Sequence, residues 1–150
     1  MSTTLIIVII VAGVAALILL LWTVIRSALI KKQNAVLAEL SSIVEDSGEE
    51  IRLPPQGGTY RGALMNYPVV KNSGVICLTD QRIIFKTLTG TTIEVPAEQI
   101  SNATEDKWFK GAYRGGQLHL IVHTKDENQI GFFVADIDAW KKALLERAVG

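Results

Sequence analysis

The feature that most constrains this chain is an uninterrupted apolar segment near its N-terminus. From Leu5 to Ile25 there is no charged residue, and Thr23 is the one clearly polar side chain. A helix of about 21 residues is roughly 31 Å long, which matches the hydrocarbon core of a bilayer. Lipid offers the backbone no hydrogen bonds, so a helix is the expected structure. The sequence therefore predicts a transmembrane helix over residues 5–25, after a short extracytoplasmic N-terminus over residues 1–4.

The residues that flank this segment predict its orientation. Arg26, Lys31 and Lys32 follow it closely, whereas Met1–Thr4 contains no basic side chain. Short basic flanks remain on the cytoplasmic side of a membrane. A cleaved signal peptide would instead carry its basic residues before a shorter apolar core. We therefore expect an integral membrane protein with a single span, its N-terminus outside and its C-terminal domain in the cytoplasm.

Helical periodicity continues beyond the span, over a juxtamembrane segment of residues 26–47. Side chains with heptad spacing occur at Leu29, Gln33, Val36, Leu40 and Ile43. Two interpretations remain open for this pattern. In the first, an amphipathic helix continues the anchor and packs on its own domain. In the second, residues 29–43 form a short parallel coiled coil between two copies of the chain, with Gln33 as a polar core position that fixes the register.

A linker is predicted over residues 48–58, before the second domain at residues 59–150. Gly48 is a plausible helix terminator. The run Pro54-Pro55-Gln56-Gly57-Gly58 is a second break, which neither a helix nor a central strand is expected to tolerate.

From Thr59 onward the apolar residues alternate with period two, which is typical of strands. Short polar joins at residues 79–82 and 125–128 indicate two hairpins. The predicted strands cover residues 59–67, 74–79, 82–88, 91–95, 100–105, 117–124 and 129–135. Seven strands of this length are expected to bend into a barrel or two stacked sheets.

The spacing of the apolar residues changes again at the C-terminus, where the sequence predicts an amphipathic helix. Asp136 is a good N-cap, and Ile137, Trp140 and Leu144 fall on one helical face. Such a helix can close one open end of the predicted barrel. The overall prediction is an N-terminal transmembrane helix followed by a mainly-β barrel of about seven antiparallel strands, capped by a C-terminal α-helix.

Part of this pattern resembles a known family. Residues 74–85 read GVICLTDQRIIF, which is similar to the G-x-L-x-L-T-x-x-R-L-x-F segment of GRAM and bacterial PH-like domains. Residues 93–100 read IEVPAEQI and resemble the strand and turn that follow it in those families. The last helix, with Trp140, is similar to the C-terminal helix of the PH superfold. The resemblance covers roughly residues 59–148 and implies a PH-like barrel.

The same resemblance implies that some members recognise acidic lipid headgroups. PH domains that bind phosphoinositides carry a cluster of Lys and Arg on the loop of the first hairpin. This chain departs from that pattern, because the corresponding region offers only Arg61 and Lys71, separated by the apolar stretch Tyr67-Pro68-Val69-Val70.

Charge and side-chain chemistry disfavour other classes of function. After Ser47 the chain carries 12 basic and 12 acidic residues, whereas a nucleic-acid binder needs a dense basic surface. His119 and His123 are four positions apart, and on a strand that spacing is about 13 Å, too far for one metal ion. Cys77 lies in an apolar run without a basic neighbour. We therefore predict a non-enzymatic protein without catalytic residues, metal ligands or cofactors.

One segment stands out as a candidate contact site for lipid or protein. It combines cations and aromatic rings in a glycine-bearing loop, at Lys107, Trp108, Phe109, Lys110, Tyr113 and Arg114. Cations attract anionic headgroups and tryptophan favours the membrane interface, so this loop is a candidate for contact with the bilayer. In the alternative interpretation, Trp108 and Phe109 fill the barrel core or cover its edge.

These observations favour two hypotheses for function. The first is a membrane-anchored PH-like domain that acts as a protein-interaction or scaffold module, as a subunit or accessory factor of a membrane complex. The second is a lipid-sensing module that contacts acidic headgroups through residues 107–114.

Overall fold

The structure is a computed structural model that describes residues 2–148. It comprises a long helix, a seven-stranded antiparallel sheet, a small two-stranded hairpin and a C-terminal helix. The elements in chain order are α1 Thr3–Ser47, β1 Ile51–Ala63, β2 Asn72–Thr79, β3 Arg82–Thr87, β4 Thr92–Pro96, a 3-10 turn Ala97–Gln99, β5 Ile100–Asp106, β6 Trp108–Phe109, β7 Ala112–Tyr113, β8 His119–Thr124, β9 Gln129–Phe133 and α2 Ile137–Ala148. The predicted layout of helix, antiparallel strands and closing helix is confirmed.

The chain divides into two compact units, one through Asn34 and one from Ala35 onward. The first unit is the N-terminal part of α1, and its apolar side chains are exposed on every turn of the helix. This helix is long and apolar enough to cross a membrane. Exposed leucine, isoleucine and valine on every face are unfavourable in water and suited to lipid.

In the second unit, the seven strands enclose one core, in the order β4-β3-β2-β1-β9-β8-β5. Three aromatic rings occupy its centre, with Tyr60, Phe85 and Phe132 at centroid separations of 5.7 to 5.9 Å. Trp140 and Leu144 of α2 are buried in the same core. Asp136 caps this helix, since its carboxylate accepts a hydrogen bond from the Ala139 amide at 3.0 Å. The apolar residues of the strands and those of α2 therefore share a single core.

The end of α1 belongs to this domain as well. Val36, Leu40 and Val44 are buried against Val75, Cys77 and Ile84, on the outer face of β2 and β3. The Glu39 carboxylate pairs with the Lys86 ammonium at the edge of this contact. These contacts agree with the interpretation in which the helix packs on its own domain. Val36 and Leu40 cannot serve a coiled-coil seam between copies without leaving this sheet.

The predicted linker at residues 48–58 was wrong, because β1 begins at Ile51 and runs through both prolines. The pairing of β1 with β2 shifts between Ile51 and Leu53 and again between Leu53 and Gln56. In addition, β9 pairs with β1 only from Thr59 onward. The prolines therefore lie at a bulge on a strand with one neighbour, where the missing N–H groups are tolerated.

The predicted domain boundary at residue 59 also differs from the structure, since the second compact unit begins at Ala35. The first predicted strand, residues 59–67, ends earlier, at Ala63. Residues 64–71 form the loop between β1 and β2. The small strands β6 and β7 were not predicted.

The helix–sheet contact generates a stability prediction. Leu40→Ala should lower the free energy of unfolding by about 2–5 kcal/mol, because it leaves a cavity between helix and sheet. Ile43→Ala is the matched control on the same helix, where the side chain is 38% exposed, and should cost less than about 1 kcal/mol. Chemical denaturation of the full chain in detergent, followed by circular dichroism, measures both. Equal losses for the two variants would contradict the packing and favour the heptad seam.

Candidate functional site

Residues 108–113 form a tight hairpin. Trp108 pairs with Tyr113, and Phe109 pairs with Ala112. Lys110 and Gly111, the two residues of the turn, have φ values of 52° and 72°, as a type I′ turn requires. The Trp108 and Tyr113 rings pack on each other with centroids 5.0 Å apart, so the two strands present a joint aromatic face.

The two aromatic residues of β6 point to opposite sides of the hairpin. Phe109 is buried and lies so close to Gly131 that a Cβ there would be 2.5 Å from the ring. Trp108 is 58% exposed and Tyr113 is 50% exposed. Each interpretation of this segment therefore holds for some of its residues. Phe109 covers the barrel, whereas Trp108 and Tyr113 face solvent.

Lys110 connects this hairpin to the end of β1. Its Nζ donates a hydrogen bond to the Ala63 carbonyl at 2.7 Å. Gly62 lies between the two segments, because a Cβ there would be 3.3 Å from the Val69 carbonyl and 3.4 Å from Lys110 Nζ. We call residues 64–71 together with residues 107–114 the loop-hairpin surface. The loop adds further exposed apolar side chains, at Leu64, Met65, Val69 and Val70.

A buried arginine lies beneath this surface. Arg61 is 7% exposed, and its Nε donates a hydrogen bond to Nε2 of the fully buried His119 at 3.3 Å. The Arg61 guanidinium also lies over the Phe133 ring, 4.6 Å from its centroid, at a distance typical of a cation–π contact. Neither partner carries a negative charge in this arrangement.

The hydrogen bonds of His119 define its tautomer. Nε2 accepts from Arg61, and Nδ1 is 3.2 Å from the Asp106 backbone carbonyl, which can only accept. The proton therefore lies on Nδ1 and the ring is neutral. Burial lowers the pKa of His119 below its usual value, and the charges of Arg61 and Lys71 lower the pKa further.

The cations of this region differ from those elsewhere in the domain. Most of the other basic side chains are in ion pairs, at Arg52, Arg82, Lys86, Lys141 and Lys142. Among residues 2–148, no carboxylate lies within ion-pair distance of Arg61 or of the four cations of the loop-hairpin surface, which are Lys71, Lys107, Lys110 and Arg114. The domain is neutral by count, but its positive charge is unbalanced here.

The structure thus brings together two regions that are far apart in sequence. The predicted contact residues 107–114 adjoin Arg61 through Lys110, and the loop that begins after Ala63 carries Lys71. Arg61 and His119 were not predicted as partners, and neither was the role of Phe133. The sequence signal was weak, since it consisted of one basic residue between Tyr60 and Gly62.

The other candidate residues have separate surroundings. His123 Nε2 is 2.7 Å from Thr104 Oγ1 and has no contact with the His119 pair. Burial raises the pKa of the Cys77 thiol to about 11, so this thiol is protonated at neutral pH. Within residues 2–148, no group of three His, Cys, Asp or Glu side chains is placed to hold a metal ion.

A concave region lies at the other end of β2, beside α2. It is an open cleft of about 900 Å³. Its walls include Thr79, Ser101 and Leu144, and both signs of charge line it, as in Asp80 and Lys125. Arg147 Nη1 donates a hydrogen bond to the Thr79 carbonyl at 3.2 Å.

Comparison with known proteins supports the fold. No protein-family model matches the chain, and no curated protein matches it. Among solved structures, the chain is similar to the crystal structure of the C-terminal domain of an unknown protein from Leishmania infantum, with a TM-score of 0.54 and 14% identity. The match covers 75% of this chain and 97% of that one. At this identity the similarity supports the arrangement of strands and helix alone.

The buried neutral His119 predicts a pH-dependent stability. Its pKa is lower in the folded protein than its usual value of 6.5, so the unfolded chain binds the extra proton first. The free energy of unfolding should therefore fall as the pH drops below about 6.5, until the pH reaches the folded pKa.

His119→Gln should remove this part of the pH dependence, measured by chemical denaturation between about pH 7.5 and pH 5.5. His123→Gln is the matched control on the same strand and keeps His119, so it should behave as the original chain. An unchanged pH profile in His119→Gln would contradict the assignment.

Proposed function

We propose that this protein is a single-span membrane protein whose β-domain contacts an anionic bilayer through the loop-hairpin surface. The observation that carries the proposal is the coincidence of exposed aromatic rings with cations that have no described carboxylate partner. In this proposal the protein is a non-catalytic lipid-contacting module, attached to the membrane by α1. The domain lies on the cytoplasmic side, as the basic residues after the apolar segment favour.

The chemistry of the loop-hairpin surface suits the interface of a bilayer. Tryptophan and tyrosine have an apolar body and a polar tip, and both favour the headgroup region. A basic side chain near an anionic surface contributes about 1 kcal/mol. Lys71, Lys107, Lys110 and Arg114 are all exposed, so their charges are available to headgroups. The four exposed apolar residues of the loop would add burial on contact.

A PH-like assignment of the domain is part of this proposal. The strand order β4-β3-β2-β1-β9-β8-β5 with a closing helix is compatible with the barrel that the resemblance implies. The segment that carries the resemblance, residues 74–85, forms the β2–β3 hairpin. The buried position of Trp140 in the core also agrees with it.

A second candidate function is a protein-interaction or scaffold module. The cleft beside α2 favours it, because it lies next to β5, which is an end strand of the sheet. An end strand can pair with an extended peptide through its free backbone groups. The mixed charges of the cleft suit a polar segment of a partner protein. This surface is separate from the loop-hairpin surface, so one protein can carry both functions.

The proposal predicts a change of environment at the β1–β2 loop in an anionic membrane. The full chain with Val69→Cys, labelled with an environment-sensitive dye, is placed in nanodiscs of phosphatidylcholine with or without a fifth of phosphatidylserine. The buried Cys77 should not react. Emission should shift to the blue in the anionic discs and return in high salt, because salt screens the attraction.

Matched variants sharpen this test. A dye on Lys142→Cys, an exposed position on α2, should show no shift. Lys107→Glu on the labelled chain should lower the equilibrium constant for contact between the domain and the anionic bilayer by about thirtyfold, because reversing one charge near the surface costs about 2 kcal/mol. Identical spectra at Val69→Cys in neutral and anionic discs would contradict the proposal.

A further inference from the structure

The β1–β2 loop, residues 64–71, presents its apolar side chains to solvent instead of folding them inward. Val69 and Val70 are 70% and 69% exposed, which makes them the most exposed large apolar residues among residues 2–148. Leu64 and Met65 are exposed as well. Burial of such side chains is favourable, so a loop that was free to move would be expected to hide them. Contacts elsewhere in the domain must therefore hold the loop backbone.

The first of these contacts is made by Asn128, in the turn between β8 and β9. Its side chain is fully buried. Its Nδ2 donates a hydrogen bond to the Met65 carbonyl at 2.7 Å, and its Oδ1 accepts one from the Met65 amide at 3.1 Å. The preceding amide, that of Leu64, donates to the Gln129 carbonyl at 3.0 Å. The side chain of Asn128 thus acts as one further residue of β9 and extends its pairing with β1 into the loop.

Asn128 is itself held in place by its own turn. The Asn128 carbonyl accepts a hydrogen bond from the Thr124 amide at 3.1 Å, and the Asp126 carboxylate accepts from Thr124 Oγ1. In addition, Asn128 Oδ1 accepts from the Gln129 amide at 2.9 Å. A buried amide is costly to leave without its hydrogen-bond partners. The pair of hydrogen bonds to Met65 therefore resists movement of the loop at this point.

The second contact comes from the centre of the core. The fully buried Tyr60 donates a hydrogen bond from its hydroxyl to the Pro68 carbonyl at 2.6 Å. Tyr67, between the two anchored positions, is partly buried and packs against the same core. The loop backbone is therefore fixed at Met65 and again at Pro68, and Val69 follows the second anchor directly.

A loop that is already ordered contacts a bilayer at a lower cost than a flexible one. Each backbone residue that has to be fixed on contact lowers the equilibrium constant by about tenfold. A loop that is fixed beforehand avoids this loss. The side-chain amide of Asn128 and the hydroxyl of Tyr60 thus affect the contact from inside the domain, since both side chains are fully buried.

We propose that Asn128 and the Tyr60 hydroxyl are positioning residues for the membrane contact. They hold the β1–β2 loop in the form in which its exposed apolar side chains meet the bilayer. This role rests on the proposed function, because it concerns how the loop-hairpin surface reaches the membrane. It assigns a part in that contact to two residues that do not touch lipid themselves.

One labelled chain measures both the order of the loop and its contact with the membrane. The full chain with the dye at Val69→Cys is placed in nanodiscs. In neutral discs, the fluorescence anisotropy of the dye reports nanosecond motion of the loop. In discs with an increasing fraction of phosphatidylserine, the blue shift of the emission gives the equilibrium constant for contact.

Asn128→Ala should lower the anisotropy in neutral discs and weaken contact with anionic discs by about tenfold, because at least one more backbone residue must then be ordered on contact. Tyr60→Phe removes only the hydroxyl and keeps the ring in the core, so the domain stays folded. It should change both readouts in the same direction by a smaller factor. The salt dependence of contact should be unchanged in both variants, because neither alters a charge.

Two controls separate positioning from a general loss of stability, with each variant folded by circular dichroism. Leu40→Ala weakens the packing of α1 on the sheet and should leave both dye readouts as in the original chain. Asn102→Ala is the matched amide substitution, since Asn102 Oδ1 accepts from the Ala103 amide at 2.9 Å on β5, and it should also leave both readouts unchanged. Equal weakening of contact in Leu40→Ala and Asn128→Ala would overturn the positioning role.

The outcomes separate the positioning role from the membrane contact itself. If Asn128→Ala and Tyr60→Phe show the same blue shift as the original chain, the positioning role is overturned and the membrane contact stands. Unchanged anisotropy in both variants would also overturn it, because the two residues would then not hold the loop. An original chain without any blue shift in anionic discs would contradict the proposed function, and the positioning role with it.

Discussion

The packing of one helical stripe on the outer face of β2 and β3 determines how the rest of this protein is organised. Val36, Leu40 and Val44 cover Val75, Cys77 and Ile84, which would otherwise expose an apolar sheet face to water. Both faces of the β2–β3 hairpin are therefore buried, one by the barrel core and one by α1. The same helix contains the apolar segment, so the structural domain begins at Ala35 rather than after the helix. The folded domain therefore includes the end of α1, which connects it to the N-terminal segment.

Strand β1 is the second constraint, because it links the two halves of the sheet. It pairs with β2 along most of its length and with β9 only near its end. Side chains alternate along a strand, so Tyr60 enters the core while its neighbour Arg61 lies on the outer side with His119 and Phe133. The β6–β7 hairpin then covers this outer side, with Phe109 over Gly131 and Lys110 on the Ala63 carbonyl. The buried guanidinium and the exposed aromatic rings thus result from one local arrangement.

The sequence predicted the elements better than it predicted their contacts. Alternation located β2 to β5, β8 and β9, and the Asp136 cap and Trp140 located α2, because local patterns encode these features. Pro54 and Pro55 led to the wrong prediction of a linker. A strand tolerates proline where it has a bulge and only one neighbouring strand. Neither condition can be read from the residues around the prolines. The choice between a packed helix and a coiled coil depended on the outer face of a distant hairpin. The environment of Arg61 was hidden for the same reason, because its neighbours His119 and Phe133 come 58 and 72 positions later in the chain.

The most direct test of the account is amide hydrogen exchange of the full chain in neutral and in anionic nanodiscs. Contact of the loop-hairpin surface with the bilayer predicts slower exchange at residues 64–71 and 107–114 in the anionic discs, because these backbone segments lose access to water. Exchange at β4 and in the walls of the cleft beside α2 should not change. Identical exchange in both kinds of disc throughout residues 64–71 and 107–114 would contradict the account.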